Sequence, residues 1–172
     1  MHIQPLNSRS LKAVLAAALL AALGLSASAA GFKAGDALPD LSQLKLEGKF
    51  PDSLKGKVVL LDFWASWCEP CKASFPTMDE LQKRYGSQGL VVVAINVDEN
   101  KADMENFLKK NAASFAILRD AAQKLVTQAG IVTMPSSFLI DQEGRVRFVH
   151  SGFRGEETKK KYEQEIESLL KK

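Results

Sequence analysis

Cysteine and histidine are scarce in this chain: Cys68, Cys71, His2 and His150 are the full complement among 172 residues. Two cysteines allow one intramolecular bridge at most, which excludes a disulfide-built scaffold. Four scattered ligands of this kind argue against a structural zinc site, which wants about four in close array. A basic excess is also lacking. The 23 lysines and arginines face 20 acidic residues, and removing an N-terminal leader that carries Arg9 and Lys12 leaves 21 against 20, a net of +1. No basic stripe with interleaved aromatics occurs, so nucleic acid is not an expected partner. Internal repeats and low-complexity tails are missing too. With 46% hydrophobic and 25% charged residues, the chain fits one globular domain with a sizeable core.

Only one segment has the composition of a membrane-active sequence. Arg9 and Lys12 precede the apolar run Ala13 to Leu25, and small residues follow from Ser26 to Ala30. The run is short for a membrane span, and Ala27-Ser28-Ala29 has the small-x-small form of a cleavage site. Residues 1–29 therefore read as a secretory signal, cut after Ala29 or alternatively after Ala30, with residues 30–172 as the mature domain. Left uncleaved, the leader would instead anchor that domain to the membrane. Export implies a periplasmic, oxidising compartment.

What is present centres on Val58 to Lys72, VVLLDFWASWCEPCK. Val58 to Phe63 is nearly unbroken in its apolar character, as suits a strand covered on both faces of a parallel sheet. Trp64 to Trp67 turn the chain out of the sheet. Pro70, between the two cysteines, is tolerated near the start of a helix, which places Cys68 at a helix N-terminus. Unpaired N–H groups and the helix dipole favour a thiolate there. Cys71, about one turn on, is the more buried thiol. A structural bridge, half a zinc site and two ordinary core thiols are the competing readings. A bridge across two residues closes too small a loop to stabilise much, and dithiol redox chemistry suits the strand-to-helix context best.

DFWASWCEPCK, with Pro76 after it and TMPSSFLID further on, resembles the thioredoxin superfamily, in particular its TlpA/ResA-like branch of exported thiol-disulfide oxidoreductases. The resemblance runs from about Gly31 to the C-terminus. It implies a redox-active Cys68–Cys71 disulfide with no other cofactor and no metal, and protein substrates that carry disulfides. It also implies electrons drawn from a membrane-embedded thiol transporter. Within the branch some members serve cytochrome c maturation, and others act on copper-site cysteines or wrong disulfides. TMPSSFLID lacks the acidic residue that follows the proline in the cytochrome c maturation members.

Along the rest of the chain, Phe32 to Lys57 reads as a β-hairpin or loose two-strand cap on the sheet edge, similar to the N-terminal extension of TlpA-like proteins. A helix from Pro70 to Tyr85 carries Pro76, which should kink it. Leu90 to Val97 is a second central parallel strand. Asn100 caps a helix with Met104, Phe107 and Leu108 inward, followed by an extended segment at Ser114 to Leu118. This pair resembles the central helix-strand insertion of the branch. The capping-box spacing of Asp120 and Gln123 predicts a helix from Ala121 to Ala129. Ser136 to Asp141 and Val146 to His150 form a hairpin across Gln142-Glu143-Gly144, and a last helix spans Glu156 to Leu170. The fold class expected is α/β: a thioredoxin-like three-layer α/β/α sandwich.

Asp62 is the one charge in the apolar run and must find a partner or have its pKa raised by desolvation. By resemblance it is the buried aspartate that takes the proton of the second cysteine; the alternative is a strand-end carboxylate bonded to backbone. Met134-Pro135 matches the superfamily's cis peptide beside the disulfide, which would leave the Met134 backbone to pair with an extended substrate. Trp67 and Pro70 support the pair. Glu69 opposes the thiolate next to it and also complements the helix dipole. His150 reads as a solvated strand-end residue. The function expected is a dithiol reductase in which Cys68 attacks and Cys71 resolves. A copper-binding dithiol with Met78 and Met134 as further ligands, or a disulfide oxidase or isomerase, is the alternative. A peroxidase lacks its signature Pro and Thr ahead of a lone cysteine.

Overall fold

The computed structural model describes residues 31–171; the leader and its cleavage site lie outside them. No helix among the described residues is long and apolar enough to cross a membrane.

The two apolar runs form the centre of the molecule. Strand β2 (Val58–Trp64) is buried at all seven positions and pairs in parallel with β3 (Leu90–Asn96). The six-stranded sheet runs, in spatial order, β1 (Glu47–Gly48), β4 (Ala116–Arg119), β3, β2, β5 (Ser136–Ile140) and β6 (Val146–Ser151), with β4 parallel to β3. β5 lies antiparallel to β2, and β6 is joined to β5 by the expected hairpin. Between the strands run α1 (Glu69–Tyr85), α2 (Lys101–Lys110) and α3 (Lys124–Gln128), and α4 (Glu156–Leu170) ends the chain.

Strand alternation sorts the β2 side chains into two layers. Trp64 projects towards α1 and α2, its ring centroid 4.6 Å from Phe75 and 5.1 Å from Phe107. On the opposite face Phe63 and Phe32 both meet Phe138 edge-on, at 6.0 and 5.5 Å. α4 buries Thr158, Tyr162, Ile166 and Leu169, the stripe its periodicity demands. It sits beside α1, with the Tyr85 hydroxyl donating to Glu167 at 2.8 Å and Arg84 bonded to Glu163 at 2.7 Å. Helix, sheet and the N-terminal segment with α3 thus give the three-layer thioredoxin-like sandwich. The central insertion is present as α2 and β4. Asn100 caps α2 by accepting from the Ala102 N–H at 3.1 Å.

The N-terminal segment departs from the hairpin expectation. Ala37 bridges Arg145 at one side of the sheet, whereas β1 (Glu47–Gly48) pairs antiparallel with β4 at the other. Between them Leu41–Leu44 forms a 3₁₀ turn, because the Asp40 carboxylate accepts from the Ser42 N–H and Lys45 ends the turn in the left-handed region. The two extended pieces therefore never face each other. Phe32 is held by its N–H to the Ala129 carbonyl, and Gly31 crosses Gly130 so closely that a Cβ on Gly130 would lie 2.5 Å from the Gly31 Cα. Gly130 also has φ +65°, so a side chain there is strained twice over.

Helix α3 is shorter than its capping-box spacing predicts. Asp120 accepts from the N–H groups of Lys124 and Val126 at 3.0 and 2.9 Å, further along than a box requires. Gln123 takes a left-handed conformation and turns its amide to the Val97 carbonyl. The carboxylate satisfies the donors of a helix that starts later.

Phe75 is the hub of the aromatic group beneath the active loop, within 5.4 Å of Trp64, Phe107 and Phe115 by ring centroid. Phe75→Ala should lower the unfolding free energy of the oxidised protein by about 3–5 kcal/mol, read from the midpoint of urea unfolding at unchanged slope. A loss below about 1 kcal/mol would mean the cluster collapses around the gap without penalty.

Candidate active site

β2 delivers the chain to the end of the sheet, and the next turn converts it into α1. Cys68 is the N-cap residue of that helix, extended at φ −89° and ψ 103°, and its sulfur accepts from the Cys71 N–H at 3.2 Å. Glu69 and Pro70 occupy the first helical positions, where the missing N–H of proline is no loss. Cys68 and Cys71 form a disulfide with Cα atoms 5.2 Å apart. Cys68 is 6% exposed and Cys71 is fully buried, which orders the two sulfurs by access as the spacing implies.

The turn is fastened by residues that periodicity did not single out. Asp98, just past the end of β3, accepts from the Ser66 N–H with both oxygens at 3.1 Å and from the Ser66 hydroxyl at 3.1 Å. Asn96 donates to the same carboxylate at 2.8 Å. Arg119, buried on β4, donates to the carbonyls of Asp98 and Glu99 at 3.2 and 2.5 Å. The signal lay in NVDEN, a polar cluster directly after the apolar strand Leu90 to Asn96. Its partner, Ser66, is 32 residues away in sequence.

Across from the disulfide, the Met134-Pro135 bond is cis. The Pro135 carbonyl accepts from the Gly152 N–H at 2.7 Å, which ties this loop to the end of β6. Trp67, Cys68, Pro70, Val132 and Met134 border an open cavity of about 460 Å³. Trp67 is 68% exposed and Val132 96% exposed, so two large apolar side chains stand in solvent at the rim of this cavity. Met78 is buried in the core of α1.

Glu69 points into solvent and accepts from the Lys72 ammonium at 2.6 Å. The carboxylate sits at the helix start, as the dipole reading expects, and its charge is shared with Lys72. His150 departs from expectation. Rather than being solvated, it is half-buried, with Nε2 2.6 Å from the Glu165 carboxylate and its ring edge-on to Tyr162 at 5.0 Å.

Asp62 has no solvent exposure. Its Oδ1 accepts from the Ser137 hydroxyl at 2.6 Å, while Oδ2 has no hydrogen-bond partner among the described residues. The partner is thus a side chain on β5 and not the backbone alternative weighed from sequence. Burial pushes the carboxyl from its usual value near 4 up to about 7, with the Ser137 hydroxyl opposing that rise. The folded state therefore holds a proton that the unfolded chain releases, and stability falls as pH rises from about 4 to about 7. Asp62→Asn should consequently raise the melting temperature of the oxidised protein at pH 8, with the gain vanishing near pH 4. A difference that is the same at both pH values would show that Asp62 does not titrate in this range.

Comparison with known proteins places these features in one lineage. Residues 33–166 match the Redoxin family model. The thiol-disulfide oxidoreductase ResA of Bacillus thuringiensis (strain Al Hakam) is 36% identical over 140 residues, covering 80% of this chain and 77% of that protein. ResA of Geobacillus thermodenitrificans is 34% identical over 92% of this chain and 94% of its own length. Among solved structures, a Chlorobium tepidum chain assigned as a thiol:disulfide interchange protein DsbE superposes with a TM-score of 0.71. It is 37% identical and covers 81% of this chain and 99% of its own. Sheet order, the Cys68–Cys71 pair at a helix start and the matched length agree: the chain belongs to the Redoxin family, among its ResA-like thiol-disulfide oxidoreductases.

Proposed function

We propose that the protein is a periplasmic dithiol reductase of disulfides in other proteins. The observation that carries this reading is the ranked access of the two sulfurs beside an apolar, open docking edge. In the reduced enzyme the Cys68 thiolate attacks one sulfur of a substrate disulfide, forming a mixed disulfide and releasing the first substrate thiolate. Asp62 takes the proton of Cys71, whose sulfur then attacks Cys68 Sγ and expels the second substrate thiolate. Two electrons pass to the substrate and Cys68–Cys71 is left oxidised. A membrane-embedded donor of the thiol-transporter type returns it to the dithiol, which export to an oxidising compartment makes necessary.

The substrate segment this edge suits is extended and uncharged next to its cysteine. Met134 offers backbone groups to an added strand, and Trp67 and Val132 offer apolar surface to its side chains. The burial of Met78 in the core removes one of the two methionines that a copper-carrying dithiol would need beside its sulfurs.

Expression of a Cys71→Ser variant with its leader, in the exporting host, should trap mixed disulfides through Cys68 that mass spectrometry identifies as cysteine-containing exported proteins. In the reduced wild type, alkylation should modify Cys68 first, with a pKa below the roughly 8.5 of a free thiol. Faster modification of Cys71 would reverse the two roles.

The charge at the helix start supports electron flow from the dithiol to the substrate. A strong oxidant requires a very acidic thiol, yet the cation in this turn, Lys72, is already bonded to Glu69. The reduction potential is therefore expected near that of thioredoxin, about −270 mV, and far from the roughly −120 mV of a strong oxidant. Equilibration with dithiothreitol or glutathione buffers, read from the fluorescence of Trp64 and Trp67, measures it. A value above about −150 mV would make the protein an oxidase or isomerase.

A further inference from the structure

Three strands and one helix build a polar row through an otherwise apolar layer. The β2–β5 register sets Asp62 opposite Ser137, and the β5–β6 register sets Ser137 opposite His150. Cross-strand neighbours of this kind share a face. α4 lays Tyr162 over the row, with its hydroxyl 2.8 Å from Ser137 Oγ and its ring against His150. Asp62 and Tyr162 are fully buried and Ser137 is 1% exposed.

The direction of the bonds follows from the number of hydrogens. An ionised carboxylate can only accept, so the single hydroxyl hydrogen of Ser137 goes to Asp62 Oδ1 at 2.6 Å. Ser137 Oγ must then receive the Tyr162 O–H. Burial and the neighbouring Asp62 charge both hold the Tyr162 phenol in its protonated form, which keeps it a donor. The resulting chain runs Tyr162 to Ser137 to Asp62, and it occupies Oδ1 while Oδ2 has no hydrogen-bond partner among the described residues.

We propose that Ser137 and Tyr162 are positioning residues for the dithiol reaction: their directed hydroxyl pair orients Asp62 and sets the pH at which it can take the Cys71 proton. This rests on the reading of Asp62 as the proton acceptor. The ionisable groups set against the row are Asp62 from β2, His150 from β6, Tyr162 and Glu165 from α4 and, in the dithiol reaction as read above, the buried Cys71 thiol of α1; β3 contributes Ala94 opposite Asp62, which carries no charge. His150 and Glu165 are bonded to each other at the far end. Ser137 is therefore the one direct hydrogen-bond donor to Asp62 among the described residues, and Tyr162 acts through it. A donor to the ionised form lowers a carboxyl pKa, and its removal raises it.

Two measurements on Ser137→Ala, Ser137→Thr and Tyr162→Phe test the proposal. The first is the titration of the Asp62 carboxyl in the oxidised protein by carbon NMR. The second is the pH profile of the ratio between the Cys71 resolution rate and the Cys68 attack rate on a model protein disulfide. Ser137→Ala should raise the Asp62 midpoint by about one pH unit or more, since a hydrogen bond to a charged group is worth at least that much. Tyr162→Phe should raise it by less, and Ser137→Thr, which keeps the hydroxyl, should restore it. The resolution profile should move by the same amounts. Should Ser137→Ala fail to fold, Tyr162→Phe carries the comparison alone, because the ring still fills its site.

An Asp62 midpoint unmoved in the folded variants, with Asp62→Asn still slowing resolution, would overturn the positioning role and leave Asp62 as the proton acceptor. A midpoint that moves without any change in the resolution profile would overturn both, since the titration of Asp62 would then be irrelevant to the dithiol step.

Discussion

Strand β2 is hydrogen-bonded to β3 on one side and β5 on the other, and none of its seven side chains reaches solvent. The molecule's chemistry hangs from the end of that strand. Burying such a strand on both faces requires helices above and an aromatic layer below, which α1 and α4 with Phe32, Phe63 and Phe138 supply. The chain must then leave the sheet abruptly, because its partner strand β3 ends at the same level. Cys68 caps the helix that follows, which places a sulfur among unpaired backbone N–H groups.

A turn at such a junction needs rigid support, since a dithiol reaction depends on sulfur placement within fractions of an ångström. Asp98 provides it by accepting three contacts from Ser66 and one from Asn96, while Arg119 holds the carbonyls behind it. Each of these residues sits at, or within two residues beyond, the C-terminal end of a parallel strand, where open α/β sheets collect their functional groups. The cis Met134-Pro135 loop enters from β5 on the other side, so the disulfide lies between two supports that meet only in three dimensions.

The elements legible in the sequence were those whose signal is local. Val58 to Phe63 and Leu90 to Val97 announce buried strands by uninterrupted apolar character, and α4 announces itself through Tyr162, Ile166 and Leu169. The β5–β6 hairpin follows from its turn at Gln142 to Gly144. Elements whose partners are distant were misread. The segment from Phe32 to Lys57 has two extended pieces, but they pair with Arg145 and with β4 instead of each other. The start of α3 moved because Asp120 reached further along the chain than a capping box does. His150 read as solvated because nothing near it in sequence foretells Glu165 and Tyr162 packing over it.

By itself the sequence determined the strand-to-helix junction, the order of Cys68 and Cys71 within it, and the presence of a charge inside an apolar run. Those depend on residues a few positions apart, where backbone geometry leaves little choice. Only the tertiary structure decided what Asp62 meets. Its partner Ser137 lies 75 residues away, and their contact is set by the register between β2 and β5, which the packing of whole strands chooses. The same register leaves one carboxylate oxygen bonded and the other without a partner among the described residues. A buried carboxylate is made into a group titrating near neutrality by desolvation and by which neighbours the fold brings to it, neither of which is a property of the local sequence.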